Sequence, residues 1–231
     1  MSALAPVITV DGPSGVGKGA LCQWLAVRLG WRLLDSGALY RLTALAALRR
    51  NVLLEDADRV AAVAASLEAE FTAKTDGCLR ITLDGTEVSV DLRTERCGNA
   101  ASRVAALPAV RAALLQRQQN FRRAPGLIAD GRDMGTVVFP DAELKLFLTA
   151  SAEERAQRRH KQLSQQGLDA SLKNLAGEIA ERDARDSQRA VAPLRPAADA
   201  EILDTTHLQI ADVCDWALAL IAQRLALPEP R

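Results

Sequence analysis

The spacing of apolar residues changes several times along this chain, and each change marks an element. Residues 6–11 (PVITVD) are a short apolar run ending in an acid, which predicts a buried strand. After a glycine-rich turn, residues 17–29 take a helical pattern closed by Gly30. Residues 31–35 (WRLLD) predict a second strand and 38–50 a second helix. Further strands are predicted at 127–130 (LIAD), 143–149 (ELKLFLT) and 201–204 (EILD). Such alternation specifies an α/β fold, a parallel sheet with helices on both faces. Ser151 with Glu154 is a capping-box pair that predicts a helix start, and Thr206 with Gln209 predicts the start of the last helix. Trp216, Leu218, Ala219, Ile221 and Leu225 give that last helix an apolar face.

The middle of the chain breaks the pattern. Between a helix predicted at 56–69 and another from Pro108 onward, residues 78–90 read CLRITLDGTEVSV. Ile81, Leu83, Val88 and Val90 alternate with polar residues around Asp84-Gly85, which predicts an antiparallel hairpin. An antiparallel patch inside a parallel chain reads as a small inserted subdomain. There is no repeat, low-complexity tract or long linker, so one domain with an insertion is expected.

Composition narrows the function classes. With 48% apolar and 25% charged residues over 231 positions, the chain is not disordered. Its 29 basic and 29 acidic residues cancel, which argues against a broad basic face for duplex nucleic acid or anionic lipid. A small cationic pocket remains open, and arginine supplies all but five of the basic residues. The N-terminus lacks a basic stretch and its apolar run stops at Asp11, so neither a signal peptide nor a membrane span is expected. Cys22, Cys78, Cys97 and Cys214 lie far apart without a C-x-x-C pair, as reduced thiols of a cytoplasmic protein would. His160 and His207 are too isolated for a histidine site, and Trp24 and Trp31 read as packing residues. Nothing in the apolar pattern marks a dimer face, so a monomer is expected.

The chemistry is concentrated in Gly12-Pro13-Ser14-Gly15-Val16-Gly17-Lys18-Gly19, set between a strand and a helix. Glycines let the backbone curl until several N–H groups converge, and the following helix adds its positive end. Lys18 brings a full charge to the β- and γ-phosphates. Gly19 stands where GTPases and motor ATPases carry a Ser or Thr that holds magnesium. Gly-Lys-Gly is instead the form found in nucleoside-monophosphate kinases, although Ala20 replaces their usual next hydroxyl. Magnesium would then rest mainly on the nucleotide phosphates and water. Asp35, at the end of the second strand, either orients such a water or caps the helix from Ala38.

Two more charged stretches fall beyond strand ends or near a helix end. Ala129–Gly135 follows the third strand and holds the Arg132–Asp133 pair. Arg182, Arg185, Asp186 and Arg189 recur at spacings of three and four, which puts them on one helical face, either solvated or aimed at a ligand.

Together with Leu34–Arg41 and Gly131–Asp141, the Gly12–Gly19 loop and the Arg182–Arg189 run closely resemble bacterial cytidylate kinases. Order and spacing agree from about residue 6 to 227, including the inserted sheet that the short eukaryotic enzymes lack. The resemblance implies a P-loop NTPase-type sheet with that insert and a helical lid. It implies ATP with Mg2+ as cofactor and CMP or dCMP as acceptor, in pyrimidine nucleotide metabolism, with no nucleic acid or membrane partner. Core segments would be about 1–35, 107–155 and 188–231, with acceptor-binding elements and insert at 36–106 and the lid at 156–187. Gly12, Pro13, Ser14, Gly15, Val16, Gly17, Lys18, Gly19 and Ala20 would hold the ATP phosphates, with Lys18 following the transferred group. Arg41, Arg132 and Arg189 would clamp the acceptor phosphate, and Ser36 and Tyr40 would line its pocket. Ser102, Arg111 and Asp133 would read cytosine. Arg182 and Asp186 would lie near the sugar and the reacting phosphates.

Phosphoryl transfer asks for alignment and positive charge more than for covalent work, so an arginine-dense pocket in a neutral protein agrees with that assignment. No general base is evident, and none is needed for a dianionic acceptor phosphate. Within the same chemistry, UMP, AMP or shikimate are the other acceptors to consider. A GTPase switch would carry Ser or Thr after Lys18 and an Asn-Lys-x-Asp motif, and this chain has neither.

Overall fold

A computed structural model describes residues 4–73, 79–165 and 171–225. Cys78, the middle of the predicted lid and the last residues of the resemblance lie outside the described residues. The chain forms two compact units, residues 1–35 with 118–231, and residues 36–117. It begins with β1 (Val7–Asp11), α1 (Lys18–Leu29) and β2 (Arg32–Asp35). The second unit holds α2 (Ser36–Arg49), α3 (Ala57–Ala65), β3 (Ala69–Ala73), β4 (Leu79–Leu83), β5 (Thr86–Glu87) and α4 (Glu95–Ala105), and α5 (Pro108–Gln119) ends at its border. The chain then completes the first unit with β6 (Leu127–Asp130), β7 (Leu144–Thr149), α6 (Ala152–Gln165), α7 (Leu172–Gln188), β8 (Glu201–Asp204) and α8 (Ile210–Arg224).

The first unit is built on a parallel sheet in the order β2-β6-β1-β7-β8. Strand β1 lies at its centre and every residue is buried, which explains an apolar run without alternation. One face packs Ile8, Val10, Leu146 and Leu148 against Leu21, Cys22 and Leu25 of α1 and Val213, Ala217 and Ile221 of α8. Helix α1 closes on Gly30, whose left-handed backbone (φ 64°) returns its N–H to the carbonyls of Ala26 and Val27. Helices α6 and α7 pack against one another. Ala156, Leu163, Leu175 and Ile179 are their buried apolar positions, so this polar stretch has a small apolar seam.

Strand order puts β1 between β6 and β7, and the ends of β1, β2 and β6 meet at Asp11, Asp35 and Asp130. Everything that follows those three acids in the chain is loop or helix start. That edge of the sheet is where an α/β protein receives its ligand.

In the second unit α2 packs against α3 and α4, and β3, β4 and β5 form an antiparallel sheet. The predicted hairpin is present around Asp84-Gly85, with Leu83 paired to Thr86. It is shorter on its return strand than predicted, and Val90 is exposed. The helix predicted over 56–69 stops at Ala65, and the chain enters a third strand, β3, at Ala69. Helix α4 follows Thr94, whose hydroxyl accepts the Cys97 N–H at 3.2 Å.

The last helix departs from expectation at its start. Gln209, not Thr206, is its N-cap, and it exchanges capping-box bonds with Asp212. Thr205 first extends the sheet ladder by donating its N–H to the Thr149 carbonyl at 2.8 Å, which delays the helix. The Thr206 hydroxyl is occupied with Asp204 at 2.5 Å. The buried stripe accordingly runs through Val213, Cys214, Ala217 and Ile221, while Ala219 is exposed.

Gly12 allows the turn after β1. Its φ is +143°, and a Cβ there would lie 2.1 Å from the Leu148 carbonyl oxygen. Gly12→Ala is therefore expected to cost at least about 1–3 kcal/mol, lowering Tm by about 2–4 °C per kcal/mol. Gly177, in the middle of α7, has nothing within 4 Å of its Cβ position. Gly177→Ala is expected to raise stability by about 0.5–1 kcal/mol. Thermal melts of the two variants check both signs.

Candidate active site

The loop from Gly12 to Gly17 joins the centre of the sheet to α1. Gly15 (φ +82°) and Gly17 (φ +97°) take left-handed conformations, and Gly17 caps the helix. The loop leads directly into the N-terminal end of the 12-residue α1, an arrangement of backbone dipoles that suits an anion. Lys18 is buried and donates from Nζ to the Pro13 carbonyl at 2.7 Å, curled over its own loop. Burial, and after it the Arg132 guanidinium, push Lys18 down to about 7, while Asp130 acts in the opposite direction. Lys18 is thus part of the buried interior and not a solvated surface lysine.

Asp11, which the apolar pattern marked only as the end of a strand, is a second centre. Its carboxylate accepts the N–H groups of Met134 at 2.9 Å and Gly135 at 2.8 Å. Burial raises it to about 7, with Asp133 adding to the rise and the two backbone bonds opposing it. Residues Met134–Val138 form a tight π-type turn that packs over β1. Asp11 thus sets the position of the loop that carries Arg132 and Asp133. The signal in the sequence was an acid placed inside a fully apolar strand end, directly before Gly12.

Arg132 donates from Nε to Asp186 at 3.1 Å and from NH1 to its neighbour's carbonyl, Gly131, at 3.0 Å. Asp133 lies 3.5 Å from Arg189, and both side chains are buried. Arg189 follows the last residue of α7, so it does not share the helix face of Arg182 and Asp186. It also donates from Nε to the Ala192 carbonyl. Arg182 is close enough for its charge to act on Lys18. Arg185, half-buried, lies 4.0 Å from Glu181. Within the run 182–189, Asp186 and Arg189 are buried, and Arg182 and Arg185 are half-buried.

Asp35 and Asp130 pair across β2 and β6, placing two acids at adjacent strand ends. A Cβ on Gly19 would lie 3.7 Å from Asp130 Oδ2, so this carboxylate flanks the start of α1. Burial, then Asp130, hold the nearby Cys22 thiol well above its usual range. Helix α2 begins at Ser36, two residues before the Ala38 start predicted. Among the described residues no cluster of three or more acids, histidines or cysteines could enclose a metal by itself.

The second unit holds its own group of predicted residues. Ser36, Tyr40, Ser102 and Arg111 are buried, and Arg41 is half-buried. The Arg111 guanidinium carbon stands 5.8 Å from the Tyr40 ring centroid, a cation–π distance, and NH1 donates to the Ala105 carbonyl at 3.3 Å. The Arg41 carbonyl accepts from the Cys97 thiol at 3.6 Å, and Arg41 Nε is buried without a hydrogen-bond partner.

A strand, a glycine-curled loop and a helix in direct succession, with buried guanidiniums already oriented by carboxylates, define a P-loop phosphotransferase. The chain belongs to the cytidylate kinase family, which it matches over residues 8–223. The cytidylate kinase of Shewanella pealeana is 56% identical over 229 residues, covering 99% of this chain and all of its own. That of Salmonella choleraesuis is 57% identical over 227 residues, covering 98% of this chain and all of its own. A gluconokinase from Sinorhizobium meliloti aligns over 95% of this chain and 93% of its own, with a TM-score of 0.47 and 16% identity.

The lowered Lys18 predicts a proton linkage. Free Lys18 is about half-protonated near pH 7, and an anionic polyphosphate beside it raises its affinity for the proton. The complex then holds more protons than the free protein, so affinity falls as pH rises from about 7 toward 9. Calorimetric titration with a non-hydrolysable ATP analogue, in two buffers of different ionisation enthalpy at pH 8, should show net proton uptake. Lys18→Met should remove most of it.

Proposed function

We infer that the protein transfers the γ-phosphoryl group of ATP to CMP or dCMP, giving ADP and CDP or dCDP. The observation that carries this is membership of the cytidylate kinase family across nearly the whole chain, including both the Gly-Lys-Gly loop and the Arg132–Asp133 loop. The pathway this serves is pyrimidine nucleotide metabolism.

The roles follow from charge and geometry. Gly12–Ala20 would take the ATP phosphates on backbone N–H groups, and Lys18 would exchange the Pro13 carbonyl for the transferred phosphoryl. An oxygen of the acceptor phosphate attacks the γ-phosphorus, and the bond to the β–γ bridging oxygen breaks, leaving ADP. Arg41, Arg132 and Arg189 would hold the acceptor phosphate, with Ser36 and Tyr40 lining its pocket. A guanidinium carries five N–H groups, so the single carboxylate contact of Arg132 or Arg189 orients the fork without exhausting it. Arg182 and Asp186 would lie at the sugar and the reacting phosphates. Asp35 and Asp130 would hold, through water, a magnesium ion entering with ATP, and that ion would supply positive charge against the phosphates. A helical lid over 156–187 would exclude water and so prevent ATP hydrolysis.

Cytosine is the base this donor and acceptor set suits. Its N4 amino group donates, and N3 and O2 accept; uracil reverses the first two. Asp133, when ionised, only accepts and would take N4, while Arg111 only donates and would take N3 or O2, and Ser102 would add to the reading of the base. Buried free thiols at Cys22, Cys97 and Cys214 support a reducing, cytoplasmic setting, and a monomer suffices for this chemistry. Among the described residues no helix is long and apolar enough to cross a membrane.

Steady-state kcat/KM with ATP and CMP, dCMP, UMP, AMP or shikimate tests the reading. CMP and dCMP should exceed the rest by two or more decades, since mismatched buried polar groups discriminate that strongly. An equal or greater value for any other acceptor contradicts it. Asp133→Asn can turn an amide N–H₂ toward O4, so CMP use should fall sharply and the CMP:UMP ratio should collapse. A ratio that survives unchanged places base reading elsewhere.

A further inference from the structure

Arg155 stands outside every motif that points to the nucleotides, yet all three of its side-chain nitrogens donate hydrogen bonds. It occupies the first turn of α6 and is 5% exposed. Its three nitrogens point three ways. Nε donates to the Ala150 carbonyl at 3.1 Å, at the end of β7. NH1 donates to the Ser14 carbonyl at 3.3 Å, inside the phosphate loop. NH2 donates to Asp183 on α7 at 2.5 Å. Its Cβ lies 3.1 Å from where a side chain on Gly15 would begin, so α6 packs directly on the loop.

Each contact has a consequence. In a trans peptide the C=O and the following N–H point in opposite directions. Holding the Ser14 carbonyl toward Arg155 therefore turns the Gly15 N–H away from it. The other end of the fork holds Asp183, which follows Arg182 and precedes Asp186 by three residues on α7. Asp186 in turn holds Arg132. One guanidinium thus joins the peptide plane of the phosphate loop to the helix that carries Arg182 and Asp186. A lysine at this position could serve one of those directions, not three with fixed angles.

We propose that Arg155 is a positioning residue that ties the orientation of the phosphate loop to the placement of α7, so that binding of ATP favours binding of the acceptor nucleotide. The proposal rests on the reading of Gly12–Ala20 as the ATP site and of Arg182 and Asp186 as acceptor-side residues. The coupling runs through Ser14, Arg155, Asp183 and the Asp186–Arg132 pair, and neither Arg155 nor Asp183 needs to touch a nucleotide.

The test compares the Kd of CMP with and without a non-hydrolysable ATP analogue in the parent, Asp183→Asn, Arg155→Lys and Arg155→Met, with Tm measured for each. The parent should bind CMP more tightly when the analogue is present. In Asp183→Asn the ratio of the two Kd values should shrink by about fivefold or more, whatever the accompanying fall in Tm. Arg155→Lys should shrink the ratio similarly and raise KM for ATP, because charge without the fork does not restore the Ser14 and Asp183 contacts. A purely structural arginine would move Tm and leave the ratio alone. If Arg155→Met does not fold, Asp183→Asn still decides the matter. A parent without coupling, or a folded Asp183→Asn with the parent ratio, overturns the proposal. The underlying site reading fails separately, if Lys18→Met and Arg182→Met keep parental activity.

Discussion

Phosphate chemistry needs positive charge gathered in one place, and a folded protein resists that gathering unless each cation has a partner. Here Arg132 lies on Asp186, Arg155 on Asp183, Arg189 on Asp133, and Lys18 has Asp130 nearby. Most of these groups are buried, where removing one partner of a pair costs about 3–5 kcal/mol. The balance of 29 basic and 29 acidic residues is thus partly local, made pair by pair around one loop. Without the carboxylates, the guanidiniums would repel one another and turn toward water. With them, the forks are fixed before any phosphate arrives, which lowers the ordering that binding must supply.

The fold provides the anchors for those pairs. Parallel strands deliver Asp11, Asp35 and Asp130 to the same edge of the sheet, and Gly12 lets the loop leave β1 hard against β7. Asp11 reaches 123 residues along the chain to hold the turn after Arg132 and Asp133. Lys18, pressed between burial and Arg132, holds its proton less tightly than a surface lysine does. On the proposed reading a polyphosphate beside Lys18 would relieve that pressure.

The parts legible in the sequence were those governed by local pattern. Buried strands with apolar runs, the glycine-rich loop, the Asp84-Gly85 turn and the Ser151 cap each carry their own signal, and the Glu154 N–H does bond Ser151 at 3.2 Å. Helix α4 escaped because, apart from Val104, its buried face is made of Cys97, Gly98, Ala100, Ala101, Ser102 and Ala105, residues too small or too polar to mark a helical stripe. Strand β3 begins at the last residue of the helix predicted over 56–69 and was not foreseen. Thr206 looked like a cap because nothing local revealed that Thr205 would first extend the sheet. The site divides in the same way. Lys18, Arg132 and Asp133 sit in recognisable loops, whereas Asp11 and Arg155 act through partners more than a hundred residues away. An acid ending a strand and an arginine in a polar helix have solvated look-alikes everywhere, and only the folded contacts separate them.

If the guanidiniums are held before nucleotides bind, their Nε–H protons must already be protected in the empty protein. Arginine-selective 15N NMR with hydrogen exchange measures this directly. The account predicts resolved, slowly exchanging Nε–H signals for Arg132 and Arg155 without ligand, at least about tenfold slower than exposed Arg28, as hydrogen-bonded buried groups exchange. Signals of Arg132 and Arg155 that exchange as fast as Arg28 until CMP and an ATP analogue are added would contradict it.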